Sequence, residues 1–112
     1  MKKMKNKNTL KKGSASIVVF REGSEWYAAV LEFNIVESGS TPQEAMLLAF
    51  EAVMGYVESA KKIKARPHIL NQVADKEYDK MWHTVTETRR QNSNVFFAGK
   101  INIGNGRALI PT

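Results

Sequence analysis

From Asn34 to Ala60 the chain reads NIVESGSTPQEAMLLAFEAVMGYVESA, a short strand turning through a glycine into a capped amphipathic helix, and no other stretch limits the fold as tightly. Thr41 can accept a hydrogen bond from a first-turn N–H, Pro42 suits the first helical position where its missing N–H is harmless, and Glu44 stands three residues after the cap. From Ala45 apolar residues recur at helical spacing through Leu48, Ala49, Ala52, Tyr56 and Ala60, with Phe50, Val53 and Val57 widening the stripe. One face of this helix must be buried. Gly55 lies inside it and costs about 1 kcal/mol relative to alanine, which points to close backbone packing at that position.

The flanking segments supply what the helix packs on. Ser16 to Glu22 is apolar and β-branched, and Gly23-Ser24 places glycine first, as a two-residue type II′ hairpin requires. Along the returning strand Tyr27, Ala29, Leu31, Phe33 and Ile35 alternate and are all apolar, so this set is expected to face the helix. Trp26, Ala28, Val30 and Glu32 form the opposite, mixed face, where Trp26 either contacts a partner or is covered by the C-terminal segment. Arg66-Pro67 ends the helical pattern, Ile69 to Ala74 reads as a loop or a turn of helix, and Asp75 can cap a second helix through Tyr78, Met81, Trp82 and Val85 to about Thr88. Val95 to Ile103 then reads as a strand broken or bulged at Gly99. The expected fold is α+β: a three-stranded antiparallel meander packed on one long helix, with a second helix and a C-terminal edge strand. Residues 1–12 are expected to be a disordered basic arm, 13–103 one domain, and 104–112 a tail.

Charge is distributed unevenly along these parts. Residues 1–12 hold six lysines and no acid; residues 13–60 hold one arginine against seven glutamates; residues 61–112 hold ten basic and four acidic side chains. The centre is therefore acidic by six charges and each flank basic by six, within a net charge of +6. An acidic centre steers a basic partner, whereas basic flanks attract nucleic acid. Cysteine is absent, which removes thiol chemistry and disulfides and accords with a reducing cytoplasm. No apolar run approaches the length of a bilayer span.

The hairpin, the edge motif Ala28-Ala29-Val30-Leu31-Glu32-Phe33-Asn34-Ile35-Val36, the run Ser38-Gly39-Ser40-Thr41-Pro42-Gln43-Glu44-Ala45 and the long helix follow one another in an order that resembles the HicB-like antitoxin family. The resemblance covers about residues 16–62. It implies a truncated ribonuclease-H-like unit without catalysis or cofactor that binds and neutralises a small basic RNA-cleaving toxin, and it implies a homodimer. The chain departs from the family at Glu32-Phe33-Asn34, where relatives carry a proline-rich loop. Residues 63–112 do not read as a ribbon-helix-helix or helix-turn-helix. On this reading Glu22, Glu25, Trp26, Glu32 and Glu37 are the candidate partner-binding residues. The alternative is nucleic-acid binding through Lys2, Lys3, Lys5, Lys7, Lys11, Lys12, Arg89 and Arg90, each neutralising a phosphate.

Catalytic constellations are not visible. A two-metal nuclease needs several converging carboxylates, yet residues 13–60 contain no aspartate, and Glu32 and Glu37 would point to opposite faces of an unbroken strand. His68 and His83 stand fifteen residues apart without metal-ligand spacing. Gly104-Asn105-Gly106 does not open a helix, so it lacks the context of a phosphate loop. No metal site is expected.

Overall fold

The fold is α+β, and a computed structural model describes residues 8–9, 12–64, 66–86, 94–104 and 107–109. Strands β1 (Lys12–Glu22), β2 (Glu25–Val30), β3 (Ile35–Gly39), β4 (Val95–Gly104) and β5 (Arg107–Leu109) form one antiparallel sheet in the order β3-β2-β1-β4-β5. Helix α1 (Pro42–Lys62) covers one face and α2 (Lys76–Thr86) the other. The meander is present as expected. The late strand joins it on the far side of β1, which makes β1 the middle of the sheet, and the expected tail contributes the three-residue β5.

Local chemistry sets the element ends. Gly23 has φ +65° while Ser24 does not share the positive region, the pattern of a type II′ turn that leaves Glu22 opposite Glu25. Thr41 Oγ1 accepts from the Glu44 N–H at 3.0 Å, and the Glu44 carboxylate accepts from the Ser40 N–H at 2.8 Å, so the capping exchange is reciprocal but reaches one residue further back than a standard box. Asp75 Oδ1 accepts from the Glu77 N–H at 3.0 Å and opens α2. The expected end of α2 near Thr88 lies outside the described residues.

The facing of β2 is the reverse of the sequence expectation. Trp26, Ala28 and Val30 pack beneath α1 with Ile17, Val19, Ala45, Ala49, Val53, Val57 and Ala60, whereas Tyr27, Ala29 and Leu31 meet Tyr78, Met81 and Trp82 of α2. Both faces of a strand near the sheet's middle are covered, so alternation alone cannot say which helix each set meets. Small residues lie under α1 because they let a long helix settle close to the sheet. A 3-10 turn at Leu31–Phe33, closed by Asn34 in the left-handed region at φ +53°, then shifts the phase and returns Phe33 and Ile35 to the α1 side.

Three further expectations change. The irregularity in β4 is not at Gly99, which pairs in register with Ile17; it lies at Phe96, the extra residue between the Phe20–Val95 and Val19–Phe97 pairs. The basic arm is not wholly unpartnered, because Asn8 is 2% exposed and bonds Leu70, Asn71 and Ser14, and Lys12 already belongs to β1. Gly55 is exposed and a Cβ built there meets nothing within 4 Å, so close packing does not explain it. Gly55→Ala is therefore expected to stabilise the protein by about 1 kcal/mol, since alanine loses less backbone entropy in a helix. That gain should raise the thermal midpoint by roughly 4 °C in a calorimetric scan.

Candidate functional site

Helix α1 lays Ala45, Ala49 and Val53 on the sheet, and its neighbouring flank overhangs β4 without filling the space beneath. The result is an open groove of about 270 Å³ lined by Ile17, Gln43, Met46, Leu47, Phe50, Phe97 and Ile101, in which Gln43 is the single polar residue. Gly99 gives the Phe97 ring its place, since a Cβ there would come within 2.5 Å of the ring tip. The bulge at Phe96 lets two successive phenylalanines lean toward the α1 side. Phe96 is 52% exposed and meets Trp26 edge-on with ring centres 5.8 Å apart. Trp26 is thus partly covered by the C-terminal segment and borders an exposed aromatic surface. Leu47, at 58% exposure, forms the helical rim.

Exposed carboxylates stand on the same elements as this apolar ground. Glu44, Glu51 and Glu58 recur every seven residues along the exposed side of α1, interleaved with the exposed Leu47, Leu48 and Met54. At the hairpin tip Glu22 and Glu25 stand directly opposite one another, both exposed. Like charges in that relation weaken a hairpin, so the pair is not explained by folding. Arg21 is drawn back onto the turn, its Nε donating to the Gly23 carbonyl at 2.9 Å.

The five candidate partner-binding residues do not form one patch. Glu22, Glu25 and Trp26 cluster at the hairpin tip. Glu37 lies on β3, paired with Ala28, at the outer margin of the sheet. Glu32 is engaged inside the fold: Oε1 accepts from the Ser16 N–H at 2.6 Å and Oε2 from the Ser16 hydroxyl at 2.9 Å. Because β2 ends at Val30, its ladder with β1 stops at Ile17, and the Glu32 carboxylate takes the place of the missing strand. Of the alternative nucleic-acid residues, Lys2, Lys3, Lys5, Lys7, Lys11, Arg89 and Arg90 lie outside the described residues, and Lys12 is placed by its backbone in β1. The sequence places Phe50 in the apolar stripe of the helix and Phe96 and Phe97 in an apolar late strand, but it does not bring them together, and Leu47 is not marked by any pattern.

His83 lies 3.2 Å from Asp79 one turn away on α2, and His68 is exposed on a 3-10 turn at Pro67–Leu70. Among the described residues no three His, Asp or Glu side chains gather as metal ligands do. Burial raises the pKa of Tyr56 and of Tyr78, the latter also through the nearby Glu77 and Asp75 carboxylates, and neither phenol lines the groove. Among the described residues no helix is long and apolar enough to cross a membrane. Comparison of the chain with protein-family models, curated proteins and solved structures gives no match.

Proposed function

We propose that the protein is a non-catalytic binding module of HicB type, an antitoxin or an orphan relative that captures a small basic RNA-cleaving protein in the cytoplasm. The observation that carries this reading is that exposed carboxylates and unfilled apolar ground share the same elements: Glu22 and Glu25 stand at the hairpin tip beside the Trp26–Phe96 pair, and Glu44, Glu51 and Glu58 run along the exposed side of α1, whose first turns roof the groove. Aromatic anchors supply affinity when desolvated, while surrounding carboxylates speed encounter with a basic surface. The order of hairpin, short strand, capped turn and long helix supports the family resemblance. The engagement of Glu32 by Ser16 supports a non-catalytic role, since that carboxylate is not free to hold a metal.

The test is co-expression with a small basic protein encoded beside this one, followed by gel filtration at low salt. A stable complex is expected. Reversing Glu22, Glu25 and Glu37 together to lysine should weaken binding about tenfold or more, chiefly by slowing association, with the loss shrinking as salt rises. Glu32 must be left intact in this variant because its role is internal. Absence of any complex at low salt would remove the antitoxin mechanism.

A further inference from the structure

We propose that the outer edge of β4 at Ala98 and Lys100 takes up a short extended segment of another protein as an added antiparallel strand, apolar at alternate positions and basic at its C-terminal end. Main-chain groups point to alternate sides along a strand. Ser14 and Ser16 aim their N–H groups to the β2 side, at Asn8 and Glu32, whereas Arg21 aims its own at Asn94 on the β4 side. Odd-numbered residues of β1 thus face β4, and their partners Phe97, Gly99 and Ile101 turn their main-chain groups to β1. Ala98 and Lys100 turn theirs outward. Among the described residues nothing pairs with them, because β5 reaches only Asn102, Ile103 and Gly104. An open edge of this kind accepts a strand.

The edge suits a foreign segment better than the chain itself. Continuing β5 in its own register would set Pro111 opposite Lys100, and proline has no N–H for the Lys100 carbonyl. A second copy of β4 paired about Gly99 would drive its Val95 and Phe96 into the place of β5. A segment that begins opposite Lys100 avoids β5. Directly opposed residues share a face, so its side chains opposite Gly99 and Phe97 fall on the α1 side, over the groove floor of Ile17, Phe97 and Ile101 and beside Leu47 and Phe50. They must therefore be apolar. Those opposite Lys100 and Ala98 fall on the α2 side, where the Lys100 ammonium lies 5.8 Å from the Trp82 ring centre, and are polar. Running on past Phe96, the segment heads for the end of the sheet where β1 turns, since Val95 pairs with Phe20 just before Glu22 and Glu25. Those opposed carboxylates, which folding does not explain, call for basic residues there. The inference goes beyond the antitoxin reading and rests on the edge itself, whether or not the partner cleaves RNA.

The test is amide hydrogen exchange, read by NMR on the full chain, with the synthetic peptide acetyl-Thr-Val-Thr-Val-Lys-Lys-amide at millimolar concentration. The Ala98 and Lys100 amides should slow about tenfold or more, while the Gly99 amide, already turned to β1, stays unchanged. N-methylation of both threonines, whose N–H groups face β4 in this register, should abolish the effect, whereas N-methylation of both valines, which face away, should leave it. A peptide with glutamates in place of the lysines should bind more weakly, with the difference shrinking as salt rises. The proposal is overturned if Ala98 and Lys100 are already protected in the free protein, if resonances of the groove residues shift without protection of these two amides, if the two methylated peptides act alike, or if both charge forms bind equally. The antitoxin reading stands or falls separately, on complex formation with the basic protein.

Discussion

Asn8→Ala is expected to lower stability by about 4 kcal/mol, a large effect for a residue in a stretch whose composition reads as a loose arm. The Asn8 side chain is 2% exposed; its Nδ2 donates to the Leu70 carbonyl at 2.9 Å and its Oδ1 accepts from the Ser14 N–H at 2.8 Å. The backbone of Asn8 and the side chain of Asn71 exchange two further bonds, at 2.8 and 2.9 Å. Alanine would leave the buried Leu70 carbonyl and the partly buried Ser14 N–H unpaired, each worth about 1–3 kcal/mol, and would open a cavity besides. Gly13 is part of the same construction, with φ +154° and no room for a Cβ, which would come within 2.9 Å of the Asn8 Cα. Urea denaturation measures the loss, and Asn8→Asp provides the control. The aspartate keeps the acceptor for Ser14 but faces the Leu70 carbonyl with an oxygen, so it should be nearly as damaging. Midpoints equal to the parent protein would show that this clasp does not hold the start of β1.

Glu32→Ala is expected to cost about 3 kcal/mol, because it leaves the N–H of the buried Ser16 without the carboxylate that stands in for β2. Glu32→Gln separates charge from hydrogen bonding. The amide can still accept from the Ser16 N–H but does so more weakly than an ionised oxygen, so an intermediate loss is expected by the same denaturation measurement. A Glu32→Ala protein as stable as the parent would return Glu32 to the set of surface carboxylates available to a partner. The outcome bears on function, since charge reversal at Glu32 would weaken a complex by unfolding the module rather than by altering its surface.

The candidate site was legible in part. Glu22, Glu25 and Trp26 are close in sequence and remain together at the hairpin tip, so their grouping required only the recognition of the turn at Gly23-Ser24. The groove was not legible, because Phe50, Phe97 and Ile101 come from segments about fifty residues apart and meet only when β4 pairs with β1. Glu32 illustrates the same limit from the other side. Its position in an acidic centre marks it as surface charge, and only the end of β2 at Val30 gives its carboxylate a structural role.

Short-range chemistry settles the Thr41 cap with Pro42 and Glu44, the glycine-first hairpin, the Asp75 start of α2, and the apolar alternation that makes strands of β1 and β2. Each depends on hydrogen bonds or spacing within a few residues, and the structure retains all of them. Long-range packing sets which face of β2 meets which helix, where β4 enters the sheet and bulges, and that Asn8 is buried against Leu70 and Asn71. Periodicity states which side chains share a face, but it carries no label for what covers that face. Partners supplied from sixteen to more than sixty positions away, as Ser16 is to Glu32 and Leu70 to Asn8, are chosen by packing that no local pattern encodes.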